Sequence, residues 1–175
     1  MKKSFFTSES VSRGHPDKVA DQISDKVLDA FLEQDPHSRV AIETLVTKGV
    51  CVLAGEVSSN AHVDYEALVQ STLSDIGYTS KESGFDFTTS GIVVSINKQS
   101  PDIARGILSK TKKVQGAGDQ GIMFGFAIDE SFEFMPLPHV IATKIMHDLE
   151  KERKCKGAHF LLPDAKTQVT VEYDE

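Results

Sequence analysis

A histidine, an aspartate and a lysine lie close together in residues 14–18 (GHPDK). Pro16 and the apolar spacing after it predict a helix start here, where unpaired backbone N–H groups and the helix dipole favour anions. At such a position His15 could contact a phosphate oxygen, Asp17 could bind Mg²⁺ and Lys18 could neutralise phosphate charge. The alternative is a capped helix start that carries a histidine at the protein surface.

A glycine-rich turn at residues 116–121 (GAGDQG) offers a second place for close contact with a ligand. It matches the pattern G-x-G-x-x-G, but a dinucleotide-binding fingerprint must follow a strand and open a helix. This turn follows a loop and leads into an apolar, strand-like run, which excludes that interpretation. The glycines still permit close backbone approach to a ligand beside Asp119. The alternative is a tight turn with no ligand.

Two glutamates, Glu43 and Glu56, lie inside alternating β-branched runs at residues 39–46 and 50–57. A short segment with Gly49 separates the runs, and this pattern predicts a β-hairpin with the glycine in its turn. Each carboxylate either faces water or points into a site, where it would bind a cation or an ammonium group. The strand pattern leaves both interpretations open.

Hydrophobic periodicity predicts the other elements that must position these residues. An amphipathic helix is predicted over residues 16–34, with an inner face of Val19, Ile23, Val27 and Phe31. A second helix is predicted from the N-cap Asp64 to Gly77. A third is predicted over residues 137–152, with an inner face of Val140, Ile141, Ile145 and Leu149. Further strands are predicted at residues 4–7, 90–97, 121–128 and 167–173.

The order of these elements, β-α-β-β-α-β and then β-α-β, alternates helices with hairpins. It predicts an α+β fold of repeated β-α-β-β-α-β units, with helices packed on mixed or antiparallel sheets. Residues 98–120 have no sustained periodicity, and so long a loop predicts a mobile lid over a site. The sequence stops at the end of a predicted strand, which favours a piece of a longer protein.

The 175 residues carry a formal net charge of −7, which disfavours nonspecific nucleic-acid binding. Hydrophobic residues make up 39%, and no apolar run approaches the roughly 20 residues needed to span a bilayer. The N-terminus lacks the apolar stretch of a signal peptide. The sequence therefore predicts a cytoplasmic protein with no membrane or nucleic-acid partner. Cys51 and Cys155 have no zinc-ligand spacing and are predicted to be reduced.

Three segments together resemble the S-adenosylmethionine synthetase (methionine adenosyltransferase) family. They are residues 7–25 (TSESVSRGHPDKVADQISD), 115–125 (QGAGDQGIMFG) and 163–170 (PDAKTQVT). The resemblance covers essentially all of residues 1–175. It implies the N-terminal portion of such an enzyme, with N-terminal and central repeats interleaved and the C-terminal repeat absent.

Enzymes of this family make S-adenosylmethionine from ATP and L-methionine. The methionine sulfur attacks the ribose C5′ carbon and displaces triphosphate, which is then hydrolysed to pyrophosphate and phosphate. Such a site must align sulfur with carbon while cations hold the leaving polyphosphate. The resemblance therefore implies a transferase that uses Mg²⁺ and K⁺.

The resemblance also implies a role for each matched residue. His15 is expected to act in catalysis, by contacting the polyphosphate near the bond that breaks. Asp17 is expected to bind Mg²⁺, and Glu43 to lie at the potassium site. The implied methionine contacts are Glu56, Gln99 and Asp119. The implied ATP contacts are His15, Lys18, Asp119, Asp164 and Lys166. Residues 98–120 correspond to the mobile gate of the family's active site.

Family active sites lie between two subunits, so the resemblance implies a homodimer or tetramer, or a complementary C-terminal chain. Across that interface Asp164 and Lys166 are expected to meet four residues of the partner chain, namely His15, Asp17, Glu56 and Gln99. A second hypothesis is a non-catalytic or truncated subunit that keeps nucleotide or methionine contacts. A third, an unrelated phosphate-binding protein, would need two long coincidental sequence matches.

Overall fold

A computed structural model describes residues 2–80, 83, 91–98, 121–155, 158 and 160–174. These residues contain β1 (Lys3–Val11), α1 (Pro16–Gln34), β2 (Arg39–Thr47), β3 (Val50–Ser58), α2 (Tyr65–Ile76), β4 (Gly91–Lys98), α3 (Leu137–Lys154) and β5 (Lys166–Asp174). The predicted α+β class is confirmed. The predicted lid at residues 98–120 lies outside the described residues, except for Lys98 at the end of β4.

Two sheets organise the strands. β1 pairs antiparallel with β5, from Lys3 opposite Asp174 to Val11 opposite Lys166, so residues near the two ends of the chain are neighbours. β2 and β3 form the predicted antiparallel hairpin, and β4 lies parallel to β3. One sheet is therefore antiparallel and the other mixed, as predicted.

The main core lies between the β2–β3–β4 sheet and the helices α1 and α2. The predicted inner face of α1 is confirmed, because Val19, Ile23, Val27 and Phe31 are buried. The other large side chains that are almost fully enclosed here are Leu53, Val69, Leu73 and Ile76. Burying an aliphatic side chain of this size contributes about 1.5–3 kcal/mol.

The predicted ends of α2 are also confirmed. The Asp64 carboxylate accepts a hydrogen bond of 3.0 Å from the Ala67 N–H, which satisfies a backbone donor that the first helical turn leaves unpaired. Gly77 ends the helix with φ +114°, a conformation that favours glycine. These short-range signals are sufficient to define the helix.

The predicted inner face of α3 is wrong. The helix packs on β1 and β5, and the side chains it buries are Pro138, Ala142 and Met146. Ile141 and Ile145 of the predicted face are instead 36% and 45% exposed, while Val140 and Leu149 are half-buried. Two neighbouring apolar stripes run along this helix. The stripe with Ala142 faces the sheet, because alanine is smaller than isoleucine and allows the helix to approach the sheet closely.

The predicted buried strand at residues 121–128 is also wrong. Its large apolar side chains are mostly exposed, with Phe124 at 88% and Phe126 at 67%. A buried strand needs a neighbouring strand and a covering layer, and the described residues supply no strand that pairs with this segment.

Burial raises the pKa of the Cys51 thiol to about 11, because the interior disfavours the thiolate. Cys155 is exposed, so its thiolate is accessible. We therefore expect iodoacetamide at about pH 8 to alkylate Cys155 in the native chain and Cys51 only after unfolding. Peptide mass spectrometry measures both rates, with Cys155→Ser as the control. Equal rates at the two cysteines of the native chain would contradict the packing around Cys51.

None of the three helices in the described residues combines the length and apolar character needed to cross a bilayer.

Candidate functional site

The loop between β1 and α1 is hydrogen-bonded to the segment before β5. The Ser12 N–H donates to the Ala165 carbonyl over 2.9 Å, and the Ala165 N–H donates to Ser12 Oγ over 2.8 Å. Ser12 Oγ also donates to the Pro163 carbonyl over 2.7 Å. Three hydrogen bonds around one buried serine thus join residues 12–14 to residues 163–165, and we call this region the β1–α1 junction.

Gly14 lies tightly against Pro163 in the β1–α1 junction. A Cβ atom at this position would lie 2.4 Å from the carbonyl carbon and oxygen of Pro163, which is far inside van der Waals contact. The Tyr78 hydroxyl donates a hydrogen bond to the Gly14 carbonyl. The backbone immediately before His15 is therefore held by Pro163 and Tyr78.

His15 and Asp17 begin helix α1. The Asp17 N–H donates to His15 Nδ1 over 3.2 Å, so His15 is the N-cap and its Nε2 carries the proton in the neutral ring. An Nε2–H group can donate to a phosphate oxygen. The Asp17 side chain is 86% exposed and lies in the first turn, where a carboxylate can meet a cation.

Two lysines lie beside Val11 at the end of β1. Lys18 Nζ donates to the Val11 carbonyl over 3.0 Å. Lys166 is the cross-strand neighbour of Val11 and pairs with Glu9, with Nζ 2.6 Å from Oε2. The fold therefore brings two cations predicted as ATP contacts to the same end of the β1–β5 sheet.

A cavity of about 270 Å³ adjoins the β1–α1 junction. Its apolar lining includes Val19 and Leu73, and its polar lining includes Lys48, Tyr78 and Asp164. The family resemblance implies that Asp164 approaches the start of α1 from a partner chain. Within this one chain, Asp164 already lines the same cavity as Pro16.

Tyr78 is enclosed, with 6% of its surface exposed. Burial, reinforced by the nearby Asp164 carboxylate and opposed by Arg153, raises the pKa of its phenol to about 12. The hydroxyl therefore keeps its proton at neutral pH and acts as a donor to Gly14.

Glu43 and Glu56 lie on the face of the β2–β3–β4 sheet that points away from α1. The opposite face meets α1, where the Thr44 and Ser24 hydroxyls are hydrogen-bonded at 2.8 Å. Ala41 pairs with Glu56, and Glu43 pairs with Ala54, so the two glutamates are diagonal neighbours on one surface. We call this surface the open sheet face. A single chain thus brings these two glutamates together but does not bring them to the side of the sheet that carries α1.

Asn97 of β4 lies beside Glu56 in the parallel register, which adds an amide to the open sheet face. Gln99 and Asp119, the other predicted methionine contacts, lie outside the described residues.

The chemistry of the β1–α1 junction fits a magnesium ion bound together with polyphosphate. Mg²⁺ commonly takes only one or two protein carboxylates and completes its shell with water and substrate phosphates. Asp17 supplies one exposed carboxylate beside a helix N-terminus. No group of three or more His, Cys, Asp or Glu side chains that could hold a metal occurs in the described parts of the chain.

Local sequence patterns do not mark Ser12 or Tyr78 as functional residues. Both lie in recognisable places, since Ser12 is within the first motif segment and Tyr78 directly follows the helix stop Gly77. Their partners are far away along the chain, so local patterns carried no signal for these contacts.

The described residues thus combine an α+β fold with a helix start at His15 and two lysines beside Val11. Residues 3–101 match the family model of the S-adenosylmethionine synthetase N-terminal domain, and residues 114–175 match that of the central domain. The chain belongs to the S-adenosylmethionine synthetase family.

Curated relatives support this assignment. The chain is 55% identical over 184 residues to an S-adenosylmethionine synthase of Pseudothermotoga lettingae, an alignment that covers 99% of this chain and 46% of the relative. It is 52% identical over 177 residues to one of Sorangium cellulosum, covering 100% of this chain and 42% of the relative. The chain therefore spans less than half the length of these relatives.

Proposed function

We propose that this chain forms part of a methionine adenosyltransferase active site, which makes S-adenosylmethionine from ATP and L-methionine. One observation carries the proposal. Residues of two distant motifs approach each other around the β1–α1 junction, where Gly14 lies against Pro163 and Asp164 lines the same cavity as Pro16. Lys18 and Lys166 both lie beside Val11, next to this junction. Cationic and hydrogen-bonding groups around a polyphosphate stabilise it as a leaving group.

In this proposal His15 donates from Nε2 to a polyphosphate oxygen near the bond that breaks, while Lys18 and Lys166 offset its negative charge. Asp164 contacts ATP from the cavity beside the junction. Asp17 holds Mg²⁺, which supplies charge neutralisation to the polyphosphate when it is bound. The methionine sulfur attacks C5′, and triphosphate leaves. The triphosphate is then hydrolysed to pyrophosphate and phosphate.

The open sheet face is proposed to supply the methionine and potassium contacts. Glu56 binds the methionine ammonium group together with Gln99 and Asp119, and Glu43 contributes a carboxylate to the potassium site. Both glutamates lie on the far side of the sheet from α1, and in this proposal a second chain supplies further facing groups. A homodimer, or a tetramer built from dimers, provides that second chain.

The surroundings of the two glutamates support this arrangement. Leu45, Val52 and Val93 form an apolar row across the same face, and Leu45 and Val93 are 59% and 51% exposed. Burying such a row against a second chain would be favourable.

Formation of S-adenosylmethionine tests the proposal directly. The purified chain is incubated with ATP, L-methionine, Mg²⁺ and K⁺, alone and with the remaining C-terminal part of the Pseudothermotoga lettingae relative, and product is measured by mass spectrometry. Product in either reaction supports the proposal. No product in both, with the full-length relative active in the same assay, would contradict it.

Asp17→Asn gives a sharper prediction. Removing one negative oxygen from the metal site is expected to weaken Mg²⁺-dependent ATP binding by at least about tenfold. The change in stability is expected to stay below about 1 kcal/mol, because the side chain is exposed in the first helical turn.

Asp21→Asn is the matched control, since Asp21 is exposed one turn further along α1. Calorimetric titration with ATP, with and without Mg²⁺, measures the difference. Equal Mg²⁺ dependence in the two variants would remove Asp17 from the metal site.

A second candidate is a non-catalytic subunit that binds nucleotide or methionine. It is favoured by the separation of Glu43 and Glu56 from α1, which places the two groups of candidate site residues on different sides of the sheet in the described part of the chain. ATP binding without product in the complemented reaction is the outcome that favours it.

A further inference from the structure

Helix α3 is connected to the end of helix α2 through an enclosed arginine. Arg153 Nη2 donates to the Ile76 carbonyl over 2.6 Å. Its Nε and Nη2 also donate to the two carboxylate oxygens of Glu150, over 2.9 and 2.7 Å. The Arg153 and Glu150 side chains are only 11% and 17% exposed, so this bidentate pair holds the guanidinium in a defined orientation.

The backbone leads directly from this arginine contact to Tyr78. Gly77 lies against the guanidinium, because a Cβ there would be 2.3 Å from Arg153 Nη1. The Tyr78 N–H then donates to the Leu73 carbonyl over 2.9 Å as part of the same helix end. Arg153 contacts the end of α2, and this helix end fixes the position and backbone direction of Tyr78.

The Tyr78 side chain completes the connection to the β1–α1 junction. Its hydroxyl bonds the Gly14 carbonyl, which is the peptide oxygen immediately before His15. Rotation of the 14–15 peptide would move the His15 ring and its Nε2 donor. Because Gly14 lacks a side chain of its own to resist that rotation, the hydrogen bond from Tyr78 limits it.

We propose that Tyr78 is a positioning residue for His15, held in place by Arg153, so that the α3 region controls the geometry of the polyphosphate contact. This inference rests on the proposed function only for the role of His15. The arginine lies in the part of the chain that matches the central domain, and Tyr78 in the part that matches the N-terminal domain. The contact therefore couples the two matched domains at the site.

Tyr78→Phe tests the proposal, because it removes the hydroxyl and keeps the ring in the core. Tyr173→Phe is the matched control, since the Tyr173 hydroxyl donates to Glu130 and not to the junction. Histidine-labelled chain is examined by NMR, with the His15 signals assigned from the spectrum of His15→Gln. Affinity for Mg²⁺-tripolyphosphate is measured in parallel.

We expect Tyr78→Phe to shift the His15 signals and to weaken Mg²⁺-tripolyphosphate binding by about three- to tenfold. Tyr173→Phe should change neither readout. Arg153→Lys keeps the charge but loses the planar fork, so it should shift the His15 signals in the same direction as Tyr78→Phe.

Unshifted His15 signals in Tyr78→Phe would overturn the positioning role, whatever happens to the affinity. Unshifted signals in Arg153→Lys would overturn the part assigned to Arg153. A wild-type chain that does not bind Mg²⁺-tripolyphosphate would instead count against the proposed function, and the NMR comparison would still decide whether Tyr78 positions His15.

Discussion

Gly14→Ala is expected to lower the free energy of unfolding by about 3 kcal/mol or more, because the added methyl group would clash with neighbouring backbone atoms. It would lie 2.4 Å from the backbone carbonyl atoms of Pro163 and 2.5 Å from the Pro163 Cβ. None of these atoms belongs to the end of a flexible side chain. Relief therefore requires residues 12–14 to move away from residues 163–165, which would also break the hydrogen bonds around Ser12.

Chemical denaturation measures the loss, and Gly125→Ala is the matched control. A Cβ at Gly125 meets nothing within 4 Å, so this variant should remain within about 0.5 kcal/mol of the wild type. Equal stabilities of the two variants would contradict the close contact at Gly14. Gly14→Ala should also weaken ATP binding, because residues 12–14 would move away from residues 163–165.

Ile23→Ala is the second substitution with a large expected effect. Ile23 is 0% exposed and lies in the core between α1 and the β2–β3–β4 sheet. Removing its side-chain carbons leaves a cavity, and substitutions of this kind cost about 2–5 kcal/mol. Alanine favours the helical conformation more than isoleucine does, so a small gain in helix propensity offsets only part of that cost.

Ile145→Ala makes the same chemical change on helix α3, where the side chain is 45% exposed. We expect this variant to stay within about 1 kcal/mol of the wild type, and thermal and urea unfolding should agree on the difference. A loss at Ile145 as large as that at Ile23 would favour the inner face of α3 that periodicity predicts. That result would contradict the packing of Ala142 and Met146 against the sheet.

Helices α1 and α2 and the β2–β3 hairpin could be predicted from sequence because their signals act over a few residues. Asp64 caps the backbone N–H three residues later, and Gly77 supplies the positive φ that ends α2. The inner face of α1 was equally clear, because one apolar stripe is opposed by charged residues and only one orientation buries it.

Helix α3 shows where such reasoning fails. It carries two apolar stripes, and periodicity favours the bulkier one with Ile141 and Ile145. The structure buries the stripe with Ala142 instead, because close approach to β1 and β5 needs a small side chain. The predicted strand at residues 121–128 is wrong for a related reason, since a continuous apolar run forms a buried strand only when another strand pairs with it.

The candidate site also has a part that short-range sequence signals predict and a part that tertiary packing decides. The sequence alone predicts which residues would carry the chemistry, since His15, Asp17, Lys18, Asp164 and Lys166 all lie in recognisable motif segments. Only the tertiary structure decided which of them meet, through Ser12, Gly14 and Tyr78. The hydrogen bond from Ser12 Oγ to the Pro163 carbonyl joins residues 151 positions apart. Local patterns report on short stretches of chain, whereas a contact over that separation exists only once both sheets and the helices between them have packed.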